Sequence, residues 1–288
     1  MIKRRGVLAI LVLAAMITAG CGRPPGPPAS RPLNILVTND DGIDAPGIAA
    51  LAEAFRPMGQ VTVVAPRHPR SGASHSVTSD RPIKVWESER AGQRWIAVDA
   101  LPATCVRLAV ESLLPAKPDL VLSGINRGEN LGTVTFYSAT VGAAREGAFL
   151  GIPSMAVNLA ADENMDYGPA AAAAVEIVRA LGTDGFPPGT FLNVNVPAGA
   201  PREAFRGIRV TRQDTRAPVD YFDKTVLADG SIDYSPHWTH LEPGARDTDI
   251  WAVRNGYISI SIFGFDQSAA VAPGVFTALK RLESLPMR

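Results

Sequence analysis

Residues 33–65 combine a strand pattern, a helix pattern and a second strand pattern in the sequence LNILVTNDDGIDAPGIAALAEAFRPMGQVTVVA. The apolar run Leu33–Thr38 predicts a short buried strand, and the β-branched run Val61–Ala65 predicts a second one. Between them, Pro46 opens a helix whose apolar residues recur at helical spacing, and Gly59 closes it. A unit of this kind requires two parallel strands joined by a right-handed crossover.

The same alternation continues along the chain. Further strands are predicted near Ile96–Val98, Asp119–Leu122, Ser154–Asn158, Phe191–Val196, Gly207–Thr211 and Tyr257–Phe263, and further helices at Ala103–Leu114, Ala139–Leu150, Ala170–Leu181 and Val271–Leu285. Regular alternation of strands and helices predicts an α/β fold with a three-layer, doubly wound and mostly parallel sheet.

The chain divides into five predicted segments. They are a lipoprotein signal peptide (1–21), a proline-rich linker (22–32), an α/β catalytic core (33–211), an irregular arm or hairpin (212–255), and a returning strand with a C-terminal helix (256–288). Residues 212–255 show no clear helical or strand period of apolar residues, and a stretch of that length without secondary structure is unusual inside a compact domain. We therefore expect it to hold a hairpin or arm that packs on another subunit.

The N-terminus predicts export. Lys3, Arg4 and Arg5 precede an apolar run, Val7–Ile17, that is too short to span a bilayer. Thr18–Cys21 resembles a bacterial lipobox, which predicts a lipid on Cys21 and a location on the periplasmic side. Gly22, rather than an acidic residue, follows the cysteine, which indicates attachment to the outer membrane. The lipid would be the protein's single contact with the membrane. The alternative is an ordinary secretory signal and a soluble periplasmic protein.

The charge balance argues against a nucleic-acid partner. Without the three basic residues of the signal, 25 Lys and Arg face 28 Asp and Glu, which leaves about −3. No basic stripe remains that could follow the backbone of duplex nucleic acid. Cys105 would be the one thiol left beside a lipidated Cys21, and we expect it to fill the core.

Polar loops follow three of the predicted strands. Asp40 and Asp41 follow the first strand, Ser71 lies in the loop 66–76, and Asn126 lies in a loop predicted at 123–130. In an open parallel sheet the ligand site lies outside the carboxyl ends of the strands, so these loops should converge. Adjacent carboxylates are costly to hold without a cation or proton between them. An all-oxygen set favours Mg²⁺, Mn²⁺ or Ca²⁺.

Each piece also has a simpler interpretation. The Asp-Asp-Gly sequence could be a solvated turn, or its carboxylates could cap the following helix. Gly72, Gly124, Gly128 and Gly132 would let backbone N–H groups approach a phosphate closely, but each could also serve a turn. His68 and His75 are candidates for substrate contact.

Several motifs together resemble one known family. They are residues 37–48 (VTNDDGIDAPGI), 70–74 (RSGAS), 123–126 (SGIN), 130–132 (NLG), 137–138 (YS), 140–141 (TV) and 256–260 (GYISI). The chain resembles the SurE family of 5′/3′-nucleotidases. This resemblance implies a metal-dependent phosphomonoesterase that hydrolyses nucleoside 5′- or 3′-monophosphates, and also other small phosphate esters or polyphosphate, with metal-activated water.

The resemblance also implies site residues and partners. One divalent cation per subunit would be held by Asp40, Asp41, Ser71 and Asn126, and the catalytic residues would be Asp40, Asp41 and Asn126. Phosphate or substrate contacts would come from Asn39, Gly72, Ser74, Gly124, Asn130 and Ser138. Family members are homodimers or homotetramers that exchange a C-terminal segment, so the C-terminal extension is expected to serve in oligomerisation.

The chain departs from the family pattern at a few positions. Arg67 replaces a typical Asp, Ala103-Thr104 replaces Thr-Asp, Thr133-Val134 occupies a segment that is often acidic, and Ala139 replaces a common Gly. None of these removes a proposed ligand, but they bear on substrate preference.

Three other functions fit the sequence less well. A serine hydrolase would use Ser71 or Ser138 with His75, but neither serine lies in the Gly-x-Ser-x-Gly pattern. A lipid-tethered protein that binds nucleotides or phosphate without turnover is the main alternative, and Arg67 is its best support. A dinucleotide dehydrogenase is disfavoured because no Gly-x-Gly-x-x-Gly follows the first strand.

Overall fold

A computed structural model describes residues 31–199, 205–216, 221–237, 239 and 241–265. The strands of this part of the chain are β1 (Leu33–Thr38), β2 (Gly59–Pro66), β3 (Val85–Arg90), β4 (Gln93–Val98), β5 (Leu120–Arg127), β6 (Ser154–Leu159), β7 (Thr190–Val196), β8 (Ile208–Thr211), β9 (Tyr221–Val226), β10 (Ile232–His237) and β11 (Ile258–Gly264).

Nine of the described strands form one mostly parallel sheet in the order β3-β4-β2-β1-β5-β6-β7-β11-β8. The six strands from β4 to β7 in this order run parallel to one another. β3 is antiparallel to β4 and β11 is antiparallel to β7, while β8 runs parallel to β11. The predicted α/β fold with a mostly parallel sheet is confirmed.

Helices cover both faces of this sheet. They are α1 (Pro46–Phe55), α2 (Pro102–Leu108), α3 (Ala139–Phe149), α4 (Gly168–Leu181) and α5 (Asp249–Arg254). Apolar residues of α1 and α4, such as Leu51 and Ile177, share one core with β1 and β2. Cys105 of α2 and Ala143 of α3 belong to a second core. The layered arrangement and the core position of Cys105 agree with the sequence prediction.

One predicted loop is wrong, because β5 continues through it. Ser123 to Arg127 belong to β5, and the register with β6 shifts between Ser123 and Asn126. Gly124 occurs where β5 passes close to β6, since a Cβ there would lie 2.3 Å from the carbonyl oxygen of Val157. The polar side chains in this part of the strand are the reason that the sequence predicts a loop here.

Two elements were missed in the sequence. β3 lies at the edge of the sheet, and five of its six residues are exposed, so it has no apolar alternation to detect. Helix α5 is only six residues long and is capped by the hydroxyl of Thr248, which accepts a hydrogen bond from the N–H of Trp251. A helix of one or two turns is too short for its apolar residues to show a helical period in the sequence.

Residues 212–255 contain a separate antiparallel hairpin. β9 pairs with β10 from Tyr221 opposite His237 to Val226 opposite Ile232. Predictions for Cys21, for most of the linker and for the helix Val271–Leu285 lie outside the described residues. In the part of the chain that the structure does describe, no helix has the length and apolar character needed to cross a bilayer.

Candidate metal and phosphate site

Three neighbouring parallel strands bring the predicted loops to one edge of the sheet. β2, β1 and β5 are adjacent, with Leu36 paired to Thr62 on one side and to Val121 on the other. The segments that follow their carboxyl ends are hydrogen-bonded to each other. The N–H of Arg70 donates to the carbonyl oxygen of Asp40 at 2.7 Å. Ser71 therefore lies next to Arg70, whose backbone N–H is hydrogen-bonded to the backbone of Asp40.

Asp40 is linked to Asn126 through a threonine of α3. The hydroxyl of Thr140 lies 2.5 Å from Asp40 Oδ1 and 3.3 Å from Asn126 Oδ1. A hydroxyl has one proton, so the shorter contact with the carboxylate takes it. The amide nitrogen of Asn126 donates to the carbonyl oxygen of Gly128 at 2.9 Å, which fixes the orientation of this side chain. Asn126 Oδ1 is thus left with spare accepting capacity.

Asp41 is held from β5. Its Oδ2 accepts a hydrogen bond from the backbone N–H of Arg127 at 3.1 Å. Asp40 is buried, with 3% of its surface exposed, whereas Asp41 is half-buried. The two adjacent carboxylates therefore differ in their access to solvent.

The electrostatics of the two acids favour a cation. The pKa of Asp40 is raised to about 6, chiefly because the carboxyl group is buried; the hydrogen bond from Thr140 lowers it and the negative charge of Asp41 raises it. Burial also raises the pKa of Asp41, against the hydrogen bond from the Arg127 N–H. A nearby cation would lower both pKa values by favouring the charged forms.

The neighbouring Asn39 supplies a further oxygen. Its amide nitrogen donates to the carbonyl oxygen of Gly42 at 2.8 Å. Its Oδ1 is buried and has no hydrogen-bond partner among the described residues. Buried polar atoms are nearly always paired in folded proteins, so an unpaired oxygen next to Asp40 is consistent with a site that binds a ligand.

The predicted phosphate contacts fall into two groups. Gly72 has a φ of 73° and open space around its Cα, so its backbone is accessible. Ser74 and Ser138 instead use their hydroxyls within the protein. Ser74 Oγ donates to the carbonyl oxygen of Phe136 at 2.6 Å, and Ser138 Oγ accepts from the N–H of Val141 at the start of α3. Gly124 packs against β6, as described above.

Asn130 lies in a buried asparagine network. Its amide nitrogen donates to Asn158 Oδ1 at 2.7 Å, and its backbone N–H donates to Asn195 Oδ1 at 2.8 Å. Asn158 donates to Asn193 Oδ1 at 2.8 Å, and Asn193 and Asn195 both donate to the carbonyl oxygen of Asn130. The network ties the segment after β5 to the ends of β6 and β7.

Sequence reasoning did not assign three residues that contribute to this geometry. Thr140 contacts both Asp40 and Asn126, Arg127 holds Asp41, and Arg70 holds the Asp40 backbone. Thr140 lies in a motif shared with the family, but the motif alone does not indicate which side chains it contacts. The contacts of Arg70 and Arg127 run through backbone N–H groups, which leave no signal in residue identity.

His75 lies in a different environment from the two acids. Its Nε2 is 2.8 Å from Glu146 Oε2, and the other oxygen of this buried Glu is paired with Arg107. In the described part of the chain His75 makes no hydrogen bond with Ser71 or Ser138, so a serine, histidine and acid triad is not assembled there. Arg67, which reverses a typical charge, lies with its guanidinium 4.2 Å from the ring centre of Trp86.

No group of three or more His, Cys, Asp or Glu side chains capable of holding a metal occurs among the described residues. The proposed set has two carboxylates, and its other two members are a hydroxyl and an amide. Such a set suits a hard cation with oxygen ligands rather than zinc or copper.

Comparison with known proteins places this geometry in a family. The family model described as "Survival protein SurE" matches residues 35–220. The 5′-nucleotidase SurE of Pelotomaculum thermopropionicum is 44% identical over 241 residues, which are 81% of this chain and 90% of the relative. The 5′-nucleotidase SurE 1 of Thermus thermophilus is 44% identical, over 82% of this chain and 94% of the relative.

A solved structure agrees with the sequence comparison. The crystal structure of the SurE protein from Aquifex aeolicus superposes with a TM-score of 0.76 and 39% identity, over 87% of this chain and 99% of the other. With these matches, the chain belongs to the SurE family.

Proposed function

We propose that this protein is a divalent-metal-dependent phosphomonoesterase that hydrolyses nucleoside 5′- or 3′-monophosphates. The observation that carries the proposal is the linkage of Asp40, Asp41 and Asn126 at the carboxyl edge of the sheet through Thr140 and the N–H of Arg127. The relatives are named 5′-nucleotidases, which supports the choice of substrate.

Asp40, Asp41, Ser71 and Asn126 would hold the cation, one per subunit. The pKa of Asp40 is raised and Asn39 Oδ1 has no hydrogen-bond partner among the described residues. Both observations indicate that the oxygen atoms of this site lack a positively charged or hydrogen-bonding partner from the protein. Oxygen donors of these types favour Mg²⁺, Mn²⁺ or Ca²⁺. The residues present therefore fit such an ion.

A bound divalent cation supplies a Lewis acid that neutralises phosphoryl charge and makes water more acidic. Thr140 fixes the carboxylate of Asp40 in one orientation. Asp41 is the more exposed acid and its Oδ2 accepts one hydrogen bond, from the N–H of Arg127, so the remaining lone pairs of its carboxylate are available to the cation and to a hydrogen bond from the attacking water. The accessible N–H of Gly72 can donate to a phosphoryl oxygen.

Phosphate release from adenosine 5′-monophosphate tests the proposal. The full chain, purified in detergent, should release phosphate with Mg²⁺, Mn²⁺ or Ca²⁺ and should lose this activity in EDTA. The Asp41→Asn variant should be inactive while it keeps the fold. Nucleotide binding without any turnover across these metals would instead support the alternative, a tethered binding protein.

We also propose that the protein is exported and anchored by a lipid on Cys21. The basic, apolar and lipobox-like segments of residues 3–21 support this. Cells fed a labelled fatty acid should label the wild-type chain and not the Cys21→Ser variant. Label on both chains would contradict the anchor, and a soluble periplasmic Cys21→Ser protein would still agree with export.

A homodimer or homotetramer is the proposed assembly. The hairpin of β9 and β10 exposes large apolar side chains, with Phe222 61% and Val226 66% exposed. Such surfaces commonly mark protein interfaces. Light scattering after size-exclusion chromatography should give a mass of two or four chains, and a single-chain mass would contradict the assembly.

A further inference from the structure

We infer that His75 and Glu146 form a pair that positions the loop carrying Ser71, an inference that rests on the proposed function. His75 lies in the loop 66–76, four residues after Ser71, and Glu146 lies on α3. The pair acts on the proposed cation site through the backbone of the loop, so His75 is a positioning residue and not a ligand. We call the two side chains the loop anchor.

The loop 66–76 adopts a backbone that has to be held by contacts. Gly72 has a φ of 73° and Ser74 has a φ of 55°, and the second value is unfavourable for a residue with a side chain. The N–H of Ser74 donates to the carbonyl oxygen of Tyr137 at 2.9 Å, and its Oγ donates to that of Phe136 at 2.6 Å. These bonds fasten the loop to the segment before α3, and His75 follows immediately.

His75 fastens the loop to α3 itself. Its Nε2 lies 2.8 Å from Oε2 of Glu146, and its side chain is 17% exposed. Its ring also packs against the ring of Phe149, with 4.9 Å between the ring centroids. Glu146 and Phe149 lie three positions apart, on the same side of the helix. One histidine therefore makes both a polar and an apolar contact between the loop and α3.

Glu146 is a buried acid that needs both of its partners. Its side chain is 1% exposed, and its other oxygen forms a salt bridge with Arg107 of α2. Burial raises the pKa of Glu146, but the hydrogen bond from His75 and the charge of Arg107 bring it below its usual value. A buried carboxylate is strongly destabilised when it loses a partner, and this one cannot turn to solvent. Its position therefore fixes the position of His75.

Helix α3 supports both sides of the proposed cation site. Near its start Thr140 holds the carboxylate of Asp40, and six residues later Glu146 holds His75. Loss of the contact from His75 should loosen Ser71, while the contact between Thr140 and Asp40 remains. We therefore expect weaker metal binding and a largely unchanged reaction at saturating metal, because Ser71 is misplaced and the acids are not.

The His75→Phe variant of the full chain tests the loop anchor, because it keeps a ring beside Phe149 and removes the N–H. We expect the Kd for Mn²⁺, measured by electron paramagnetic resonance of the free ion, to rise by about tenfold, as for loss of a group that orients a ligand. The kcat for adenosine 5′-monophosphate at saturating Mn²⁺ should change much less. His75→Gln keeps an N–H donor of similar reach and should retain the wild-type Kd.

Limited proteolysis gives a second readout that needs neither metal nor activity. Trypsin cleaves after arginine, and Arg70 immediately precedes Ser71 in the loop. Without metal, His75→Phe should be cut after Arg70 several times faster than the wild-type chain, and His75→Gln at the wild-type rate. His75→Ala removes the same N–H without adding an apolar ring. It should match His75→Phe in both assays, so the test does not depend on the folding of one variant.

His237 supplies a matched control. Its Nε2 lies 2.7 Å from Asp223, and its ring stacks on Tyr221 with 4.7 Å between the centroids, in the hairpin of β9 and β10. His237→Phe removes an equivalent pair outside the loop 66–76. It should leave both the Mn²⁺ affinity and the cleavage after Arg70 unchanged.

The possible outcomes distinguish the loop anchor from the proposed function. A wild-type Kd in His75→Phe and His75→Ala, or wild-type cleavage in both, would overturn the loop anchor and leave the phosphatase intact. An equal loss in His75→Gln would also overturn it, since the N–H would then not be the group that holds the loop. If the wild-type chain neither binds Mn²⁺ nor releases phosphate with any metal, the proposed function fails, whereas the trypsin comparison still decides whether His75 holds the loop.

Discussion

The hydroxyl of Thr140 donates a hydrogen bond to Asp40 Oδ1 at 2.5 Å, between residues 100 positions apart in the chain. This contact joins the first turn of α3 to the loop after β1. It fixes the orientation of the buried acid that the proposed cation site depends on, and it also places Asn126 next to that acid.

Removal of this hydroxyl should weaken the site. We expect Thr140→Val to reduce metal affinity or activity by about 10- to 100-fold, the usual effect of losing a group that orients a ligand. Thr140→Ser keeps the hydroxyl and should retain most of the activity. Thr211→Val is a matched control, because Thr211 is a buried hydroxyl on β8 at the far edge of the sheet. Wild-type Mn²⁺ affinity and kcat in Thr140→Val would contradict the role of Thr140.

Metal binding should depend on pH through Asp40. A carboxyl group whose pKa is raised by folding, here to about 6, stabilises the metal-free fold at low pH, and this contribution is lost as pH rises through that value. A bound cation competes with the proton for the carboxylate of Asp40. We therefore expect the increase in Tm caused by Mn²⁺ to be larger at pH 7 than at pH 5.

Thermal unfolding with and without Mn²⁺ at the two pH values measures this effect. The Asp40→Asn variant cannot bind the proton and should lose most of the difference. The competition is refuted if Mn²⁺ shifts Tm equally at pH 5 and pH 7 in the wild-type protein.

The buried asparagine network should contribute to stability. Asn158 accepts from Asn130 and donates to Asn193 Oδ1 and to the carbonyl oxygen of Val194. Asn158→Ala leaves these groups buried and unpaired, at about 1–3 kcal/mol each. We expect urea unfolding to show a loss of several kcal/mol. Asn164→Ala, at an exposed position, should change stability little, and an equal effect of the two variants would contradict the role of the network.

Gly142 should be needed for the position of the loop that carries Ser71. Gly-to-Ala changes inside helices usually add about 1 kcal/mol of stability. Here a Cβ would lie 2.3 Å from the carbonyl oxygen of Ser74, so the loop must move. We expect Gly142→Ala to lower kcat without the usual gain in stability. Gly264→Ala, which meets no neighbour, is the control. A more stable and fully active Gly142→Ala protein would rule out this contact.

The sequence was sufficient to predict the central strands and the covering helices. Val61–Ala65 and, from Ile35 onward, β1 are buried, so these strands appear as continuous apolar runs. β3 could not be found in this way because it is an exposed edge strand. The polar side chains of Ser123 and Asn126 predict a loop, although their backbone continues β5.

The candidate site was predictable in its residue types and not in its connections. Adjacent acids and glycines after strands indicated oxygen ligands at the carboxyl edge of the sheet. The contact between Thr140 and Asp40 spans two elements far apart in the chain, and no local pattern encodes it. Asn158 and Asn193 resemble ordinary strand residues in the sequence, so their network became visible only in the folded structure.

The position of a bound cation tests the central claim most directly. A crystal of the protein grown with Mn²⁺ and measured near the manganese absorption edge should show one anomalous peak per subunit. We expect its oxygen ligands to come from Asp40, Asp41, Ser71 and Asn126, at about 2.1 Å as for a small divalent ion. A peak held by other residues, or no peak in a protein that remains active, would contradict the account.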